Sequence, residues 1–324
     1  MTVNWYPLIF NPILKDRIWG GTKLYSLLHK EIISETTGES WEISTVPGDI
    51  STVKNGALAG KNINELLALQ PEALLGRKVY GKFGNEFPLL FKFLDAKEDL
   101  SIQVHPNDAL AKIRHNSFGK TEMWYVMQAD EDSRIIIGFE EPSSSEEYVH
   151  HLENKTLTKI LKEIKVKKGD AFFLETGTIH AIGAGIVIAE IQQTSDITYR
   201  VYDWDRVDAN GHSRELHIDL ALEAIDYSAG NAQIAYAKEN NKSNLVIDCP
   251  YFTTNYIPLD GVLSFAKNGD SFTVLVCTEG DFSIHIPDTA EKTDFKKGDT
   301  VLIPAVIPDF EISGQASLLE IFIS

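Results

Sequence analysis

The stretch "KKGDAFFLETGTIHAIGAGIVIAEI" (residues 167–191) decides the fold, because it returns near the end of the chain as "KKGDTVLIPAVIPDFEISGQASLLEIFI" (residues 296–323). Both copies read as a Gly-Asp turn, a short apolar strand, a loop and a longer apolar strand. Laid over one another without a gap, Gly169 falls on Gly298, Gly185 on Gly314, and His180 on Asp309. Further upstream, "YVMQAD" (125–130) answers "LVCTEG" (275–280), which sets Glu122 against Phe272. A repeat that keeps its strands and turns while losing a His and a Glu predicts two similar β barrels, of which only the first holds a polar site.

The rest of the chain agrees with a mostly-β fold. Runs such as "FPLLFKFLDA", "MWYVMQA", "SRIIIGF", "FTVLVCTEG" and "DFSIHIP" are short, alternating or apolar, and punctuated by Gly, Asp and Pro, as in a sandwich or barrel. Helical periodicity is confined to "NINELLALQPEALLG" (62–76), "DALAKIRHN" (108–116), "SSSEEYVHHLENKTLTKILKEI" (143–164) and "SRELHIDLALEAI" (213–225), with Asn or Ser placed as N-caps. The polar stretch "YAKENNKSNLVI" (236–247) reads as the linker between the two repeats.

Composition narrows the partners. The chain has 324 residues, 30 basic against 47 acidic, a formal net charge of −17, so nucleic acid and anionic membrane are disfavoured. An anionic substrate requires a local basic cluster that overcomes this field. Two cysteines, Cys249 and Cys277, form neither a disulfide framework nor a metal knuckle, and suit a reducing compartment. The start "MTVNWYPLIFNPILKDRIWGG" lacks a basic leader and is interrupted by Pro7 and Pro12, and no apolar run approaches the roughly 18 residues needed to span a bilayer. The expectation is a cytoplasmic protein, monomeric or homodimeric.

The stretch "LSIQVHPNDA" (100–109) sets Ser101, Gln103 and His105 on one strand face and Ile102 and Val104 on the other. Glu122 in "GKTEMWYV" and His180 after a Gly turn complete four potential metal ligands: Gln103, His105, Glu122 and His180. An open site with N and O donors suits Zn²⁺ as a Lewis acid, and Mn²⁺ or Fe²⁺ also accept it.

Taken in order, "PLLFKFLDAKEDLSIQVHPND", "GKTEMWYV", "GTIHAIG" and "EIQQTSDITYRVYDWDR" resemble the signatures of type I mannose-6-phosphate isomerase, in its short bacterial form. The resemblance runs from "KDRIWGG" and "GESWEIS" through about residue 220, and more weakly over the last barrel. It implies two cupin-type (jelly-roll) β barrels with a helical insertion: a catalytic domain over 1–235 and a degenerate barrel without a metal site over 236–324. It further implies one zinc ion held by residues matching Gln103, His105, Glu122 and His180. The activity implied is interconversion of mannose 6-phosphate and fructose 6-phosphate through a cis-enediol. Glu190 and Arg200 match the family's acid and arginine, Glu190 being the candidate base and Arg200 the holder of the enediolate or the phosphate. Lys120 joins them as a catalytic candidate; Ser101, Lys92 and Arg206 are candidate contacts to a small sugar phosphate. The other reading of the same residues is a metal-holding sugar-binding or regulatory cupin, which needs no base beside the metal. Trp41 in "GESWEIS" reads as core packing, and His212 and His217 lie close behind the site segment.

Overall fold

The computed structural model describes residues 3–207, 210–230, 232–287 and 292–324. In chain order its elements are β1 (Ile13–Gly21), α1 (Lys23–Leu28), β2 (Thr37–Ile43), a small ladder of β3 (Thr45–Val46) and β4 (Asp49–Ile50), α2 (Ile63–Leu69), α3 (Pro71–Leu75) and α4 (Arg77–Phe83). There follow β5 (Leu89–Ala96), β6 (Ile102–Val104), α5 (Asp108–His115), β7 (Glu122–Ala129), β8 (Arg134–Phe139), α6 (Ser145–Glu153), β9 (Leu161–Lys165), β10 (Ala171–Leu174), β11 (His180–Ile182), β12 (Ile186–Gln193), β13 (Tyr199–Tyr202), α7 (Ile218–Leu222) and β14 (Gln233–Ile234). The chain closes with β15 (Asn244–Asp248), β16 (Thr253–Ala266), β17 (Thr273–His285), β18 (Lys292–Lys296), β19 (Thr300–Ile303) and β20 (Asp309–Phe322).

The fold is mostly β, in two jelly-roll units with helices inserted in the first. That first unit has two sheets, ordered β1-β2-β5-β12-β7-β10-β14 and β13-β6-β11-β8-β9. The second has one sheet, β15-β16-β20-β17-β18, with β19 also on β17. These are open paths rather than closed rings of strands.

Strand pairing carries the repeat further than the sequence does. The first unit's β5-β12-β7-β10 corresponds to β16-β20-β17-β19, and β8-β9 to β17-β18. A bulge after Val126 on β7 recurs after Cys277 on β17. The KKGD turns also match, with Gly169 at φ +85 and Gly298 at φ +90, a conformation that only glycine adopts without strain.

The registers correct the alignment by one residue. Leu174 pairs with Glu122, and its counterpart Ile303 pairs with Thr273, so Glu122 corresponds to Thr273 and not Phe272. Met123 pairs with Ile191 as Val274 pairs with Ile321, and counting back along each last strand puts His180 on Phe310, not Asp309. A gap-free overlay missed this because a one-residue insertion costs nothing in a loop yet moves every later side chain to the other face of its strand.

The helices begin where their caps stand. Asn62 and Glu65 form a reciprocal capping box on α2, Asn107 accepts from Leu110 N at 3.0 Å, and Ser144 accepts from Glu147 N at 3.2 Å. Two expected helices are shorter. The run 143–164 is helical only to Glu153, and Leu161–Lys165 forms an edge strand on β8; its Leu161 side chain is buried, and sheet pairing overrides the helical pattern. In 213–225 only Ile218–Leu222 is helical. The end of the expected linker is likewise strand, since Asn244–Asp248 pairs with β16.

Burial explains why β5, "LLFKFLDA", is apolar on both faces. Leu89, Phe91 and Phe93 enter a core shared with α2–α4 and with Phe272, Val274, Leu319 and Ile321 of the second unit. Leu94 and Ala96 face the opposite way, into the interior of the first unit with Trp124, Val126 and Ile188. The corner between α3 and α4 packs on the second unit at Gly76, where a Cβ would come within 2.4 Å of the Asp270 backbone. The first unit is thereby packed from outside, and its interior combines an apolar cluster with buried polar side chains.

Candidate active site

Two cross-strand rows face each other inside the first unit. On one sheet β11 pairs with β6 at His180 and Gln103, and β6 pairs with β13 at Gln103 and Arg200, so His180, Gln103 and Arg200 lie side by side. On the other sheet Trp41, Lys92, Glu190 and Trp124 form a continuous row over β2, β5, β12 and β7. The rows meet where the Trp124 ring stands edge-on to the His180 ring at 5.3 Å. Glu122 opens β7, paired with Gln192. His105 follows β6 immediately before Pro106, so the strand's end is set by the residue that cannot extend its ladder.

Both imidazoles are oriented by backbone carbonyls. His105 Nδ1 donates to Ile197 O and His180 Nδ1 to Thr178 O, each at 2.8 Å; a carbonyl only accepts, so the hydrogen sits on Nδ1 and Nε2 presents its lone pair inward. Burial pushes the His180 pKa down to about 4. It holds His105 well below the ordinary range too, helped by the nearby Lys120 ammonium. Neutral imidazoles are the form that binds metals.

Two of the inward-facing atoms lack partners of their own. Donor atoms of His105, Glu122 and His180 lie within 4.8 Å of one another, all three residues buried. Glu122 Oε2 and His180 Nε2 have no hydrogen-bond partner among the described residues, and the two lie 3.8 Å apart. Two lone-pair atoms aimed at a common buried point, with no proton to share, fit a cation. Lys120 Nζ approaches the same point, 3.0 Å from His105 Nε2 and bonded to Glu122 Oε1.

Lys92 is buried, donating to Glu190 Oε1 at 3.0 Å and to Gln192 Oε1 at 2.6 Å, with the Trp41 ring 5.1 Å away. Burial alone would lower its pKa, but the carboxylates of Glu190, Glu39 and Glu122 more than offset that and raise it. Glu190 Oε2 accepts from Trp124 Nε1 at 3.1 Å. For Glu39, burial pushes upward but Lys92 and Arg17 outweigh it, and the carboxyl is held below its usual range.

A cleft of about 580 Å³ opens over these groups. Of the residues singled out from sequence, Lys92, Ser101, Gln103, Lys120, Glu190 and Arg200 line it, while His105, Glu122 and His180 are buried outside the lining, His105 and Glu122 in contact with Lys120 and His180 paired with Gln103. Arg206 stands back from the lining, bonded to Asp203 at 2.6 Å and 3.9 Å from Glu98. Trp41 is core, as expected, but one edge of it also lines the cleft. His217 Nδ1 accepts from Arg200 N at 3.1 Å and so steadies β13 from behind.

Sequence reasoning missed Lys15, Arg17, Glu39 and Arg214, all of which line the cleft. Lys15 and Arg17 carried a signal, since they alternate on β1 in "ILKDRIWGG" and so share a face. Arg214 carried a misleading one, because it lies in the run 213–225 that reads as helix, and only Ile218–Leu222 of that run is helical.

The profile described as "Phosphomannose isomerase type I, catalytic domain" matches residues 8–134, and that described as "Mannose-6-phosphate isomerase, cupin domain" matches residues 241–323. The chain is 38% identical over 322 residues to mannose-6-phosphate isomerase ManA of Bacillus subtilis, covering 97% of this chain and 98% of that one. It belongs to the type I phosphomannose isomerase family. Mannose-6-phosphate isomerase of Streptococcus mutans is 36% identical over 97% of each chain. The crystal structure of the Bacillus subtilis mannose 6-phosphate isomerase superposes with a TM-score of 0.88 at 37% identity, over 97% of this chain and 99% of that one. A phosphomannose isomerase mutant from Salmonella typhimurium shares the fold alone, with a TM-score of 0.81 at 17% identity over 98% of this chain and 99% of that one. Family membership matches the resemblance drawn from the ordered motifs.

Proposed function

We infer that this chain interconverts mannose 6-phosphate and fructose 6-phosphate by moving a proton between C1 and C2 through a cis-enediol. The observation that carries the reading is one cleft of sugar-phosphate size in which Gln103, a carboxylate, Glu190, and two lysines gather beside the buried His105–Glu122–His180 cluster. A pure binder has no need of that carboxylate.

Gln103, His105, Glu122 and His180 would hold one zinc ion, which supplies Lewis acidity toward the carbonyl and neighbouring hydroxyl. Glu190 acts as general base, taking the C2 proton of the aldose and returning it to C1 of the ketose. Lys92 and Trp124 fix its two oxygens, so the carboxylate is oriented before substrate arrives. Arg200, one strand over from Gln103, offers guanidinium donors to the developing enediolate, and Lys120 moves from Glu122 toward the substrate oxygens. Ser101 and Lys92 contact the sugar phosphate, and Arg206 supports that contact through Asp203. The catalytic domain is residues 1–235, and 236–324 is the degenerate repeat. The protein works in the cytoplasm as a monomer or homodimer; among the described residues no helix is long and apolar enough to cross a membrane.

Incubating purified protein with mannose 6-phosphate and assaying the ketose, with and without chelator, tests the reading. Turnover that chelation abolishes and Zn²⁺ restores is the expected result. Undiminished turnover in rigorously metal-free protein, or none in the zinc-loaded protein, rejects it.

A further inference from the structure

The segment from Arg200 to Arg214 brings three arginines, Arg200, Arg206 and Arg214, together beside the cleft of a chain whose formal net charge is −17. Asp203, buried, accepts from Arg206 Nη2 at 2.6 Å, from Arg214 Nε at 2.8 Å and from Arg214 Nη2 at 2.5 Å. One carboxylate therefore serves two guanidiniums. Arg200 is a third, with Nη1 donating only to a backbone carbonyl, Glu215 O, at 2.9 Å.

Two donors of this cluster are left over. Arg200 Nε and Arg206 Nε are buried without a hydrogen-bond partner among the described residues. A buried guanidinium N–H without an acceptor carries the full cost of its lost hydration, so Arg200, which lines the cleft, has a donor still to place, and Arg206 has another behind it. The other cations of the cleft are matched: Lys15 with Asp49, Arg17 with Glu39, Lys92 with Glu190 and Lys120 with Glu122. Arg200 alone among these cleft cations has a backbone carbonyl and no carboxylate as its hydrogen-bond partner.

The backbone fixes the cluster over the cleft. Trp204 and Asp205 adopt successive left-handed conformations, at φ +58 and +54, and Trp204 Nε1 donates to Leu100 O at 2.8 Å. That bond pins the segment beside Ser101, and Leu100, Ser101, Arg200 and Arg214 all line the cleft.

We propose that Arg214, held by Asp203, forms with Arg200 the subsite for the phosphate monoester of the substrate. The proposal rests on the isomerase reading and deepens it. Arg200 adjoins Gln103 and so reaches both the reacting end and the phosphate end, whereas Arg214 contacts the phosphate only. Arg206 acts from behind, as the second guanidinium that sets the Asp203 carboxylate.

The test uses the metal-loaded enzyme with Arg214→Met, which keeps the apolar stem, and Arg214→Lys, which keeps the charge. Two quantities are measured: calorimetric affinity for inorganic phosphate, and the ratio of kcat/KM for mannose 6-phosphate to that for unphosphorylated mannose. Losing a charge-assisted contact is expected to weaken phosphate binding in Arg214→Met by roughly tenfold to a hundredfold. The substrate ratio falls similarly, with partial recovery in Arg214→Lys. An unchanged phosphate affinity, or an equal loss on both sugars, overturns the assignment and leaves Arg214 a loop brace. If wild-type enzyme binds phosphate through Arg214 yet does not isomerise the sugar phosphate, the anion site stands and the isomerase reading fails; if it binds no phosphate, the site fails.

Discussion

The two jelly rolls share strand order, a bulge and a turn, yet one interior is a polar site and the other is packed solid. The registers show how. Gln103 and His180, paired across β6 and β11, correspond to Phe265 and Phe310, paired across β16 and β20, whose rings stack at 4.5 Å. His105, two residues past Gln103, corresponds to Lys267, and Glu122 to Thr273. Glu190 is retained as Glu320, buried and bonded to Lys267 and to Asn255, which stands where Lys92 stands in the first unit. Both units thus keep a buried carboxylate bonded to an ammonium, Glu190 to Lys92 and Glu320 to Lys267; what the second unit lacks, among its described residues, is the His–Glu–His cluster beside it. The lesson is that a site is made by leaving donors unsatisfied, and it is retired by stacking rings across the same ladder positions.

Backbone continuity follows the same division. In the second unit β16 and β20 run 14 residues each and β17 runs 13, bending at Gly261, Gly314 and Gly280. In the first, each counterpart is split between two sheets, as β5 and β6, β7 and β8, and β11 and β12. Splitting frees the ends of β6 and β11, where three of the four proposed ligands sit, from a common sheet twist.

The strongest way to break the comparison is to copy one interior into the other. The double variant Gln103→Phe with His180→Phe should contain no bound metal by elemental analysis and lose all measurable turnover, while its far-ultraviolet dichroism stays that of the wild type. Retained zinc would show that these positions are not the ligands. A smaller effect separates the two retained carboxylates. Glu190→Gln, which can still accept from Lys92, is expected to lose about 10²- to 10⁴-fold in kcat with metal content unchanged. Glu320→Gln should leave kcat alone and lower the unfolding free energy by about 2–3 kcal/mol in urea denaturation. That is less than the about 3–5 kcal/mol of a fully buried pair, because Lys267 reaches water. Reversal of these two outcomes would overturn the assignment of roles.

The smallest effect is a slope with pH. Burial depresses both site histidines in the folded protein, so between about pH 6.5 and 4 the unfolded chain binds more protons than the folded one. Stability of the metal-free protein must therefore fall as pH is lowered through that window, and be unaffected by these groups above it. Urea midpoints over that range measure the slope, which should shrink in His180→Phe. A slope that persists undiminished would place its origin elsewhere.

Much of this was legible in the chain itself. The alternation in "SIQVH", the doubled KKGD stretch and the ordered motifs determined the strand-rich fold, its repeat and its family, and pointed to six of the residues that line the cleft, because side-chain direction in a strand follows from spacing alone. Other features needed the fold. The true counterparts of Glu122 and His180 came only from hydrogen-bond register, since a loop insertion leaves no trace in local pattern. The helical-looking 161–165 became strand because an edge of β8 lay open beside it. Arg214 joined the cleft from a run that reads as helix but is helical only from Ile218, carried there by its ion pair with Asp203 and by the bond from Trp204 to Leu100. Spacing fixes which way a residue faces along its own strand; what it faces is decided by which strands come together, and that is a property of the whole folded chain.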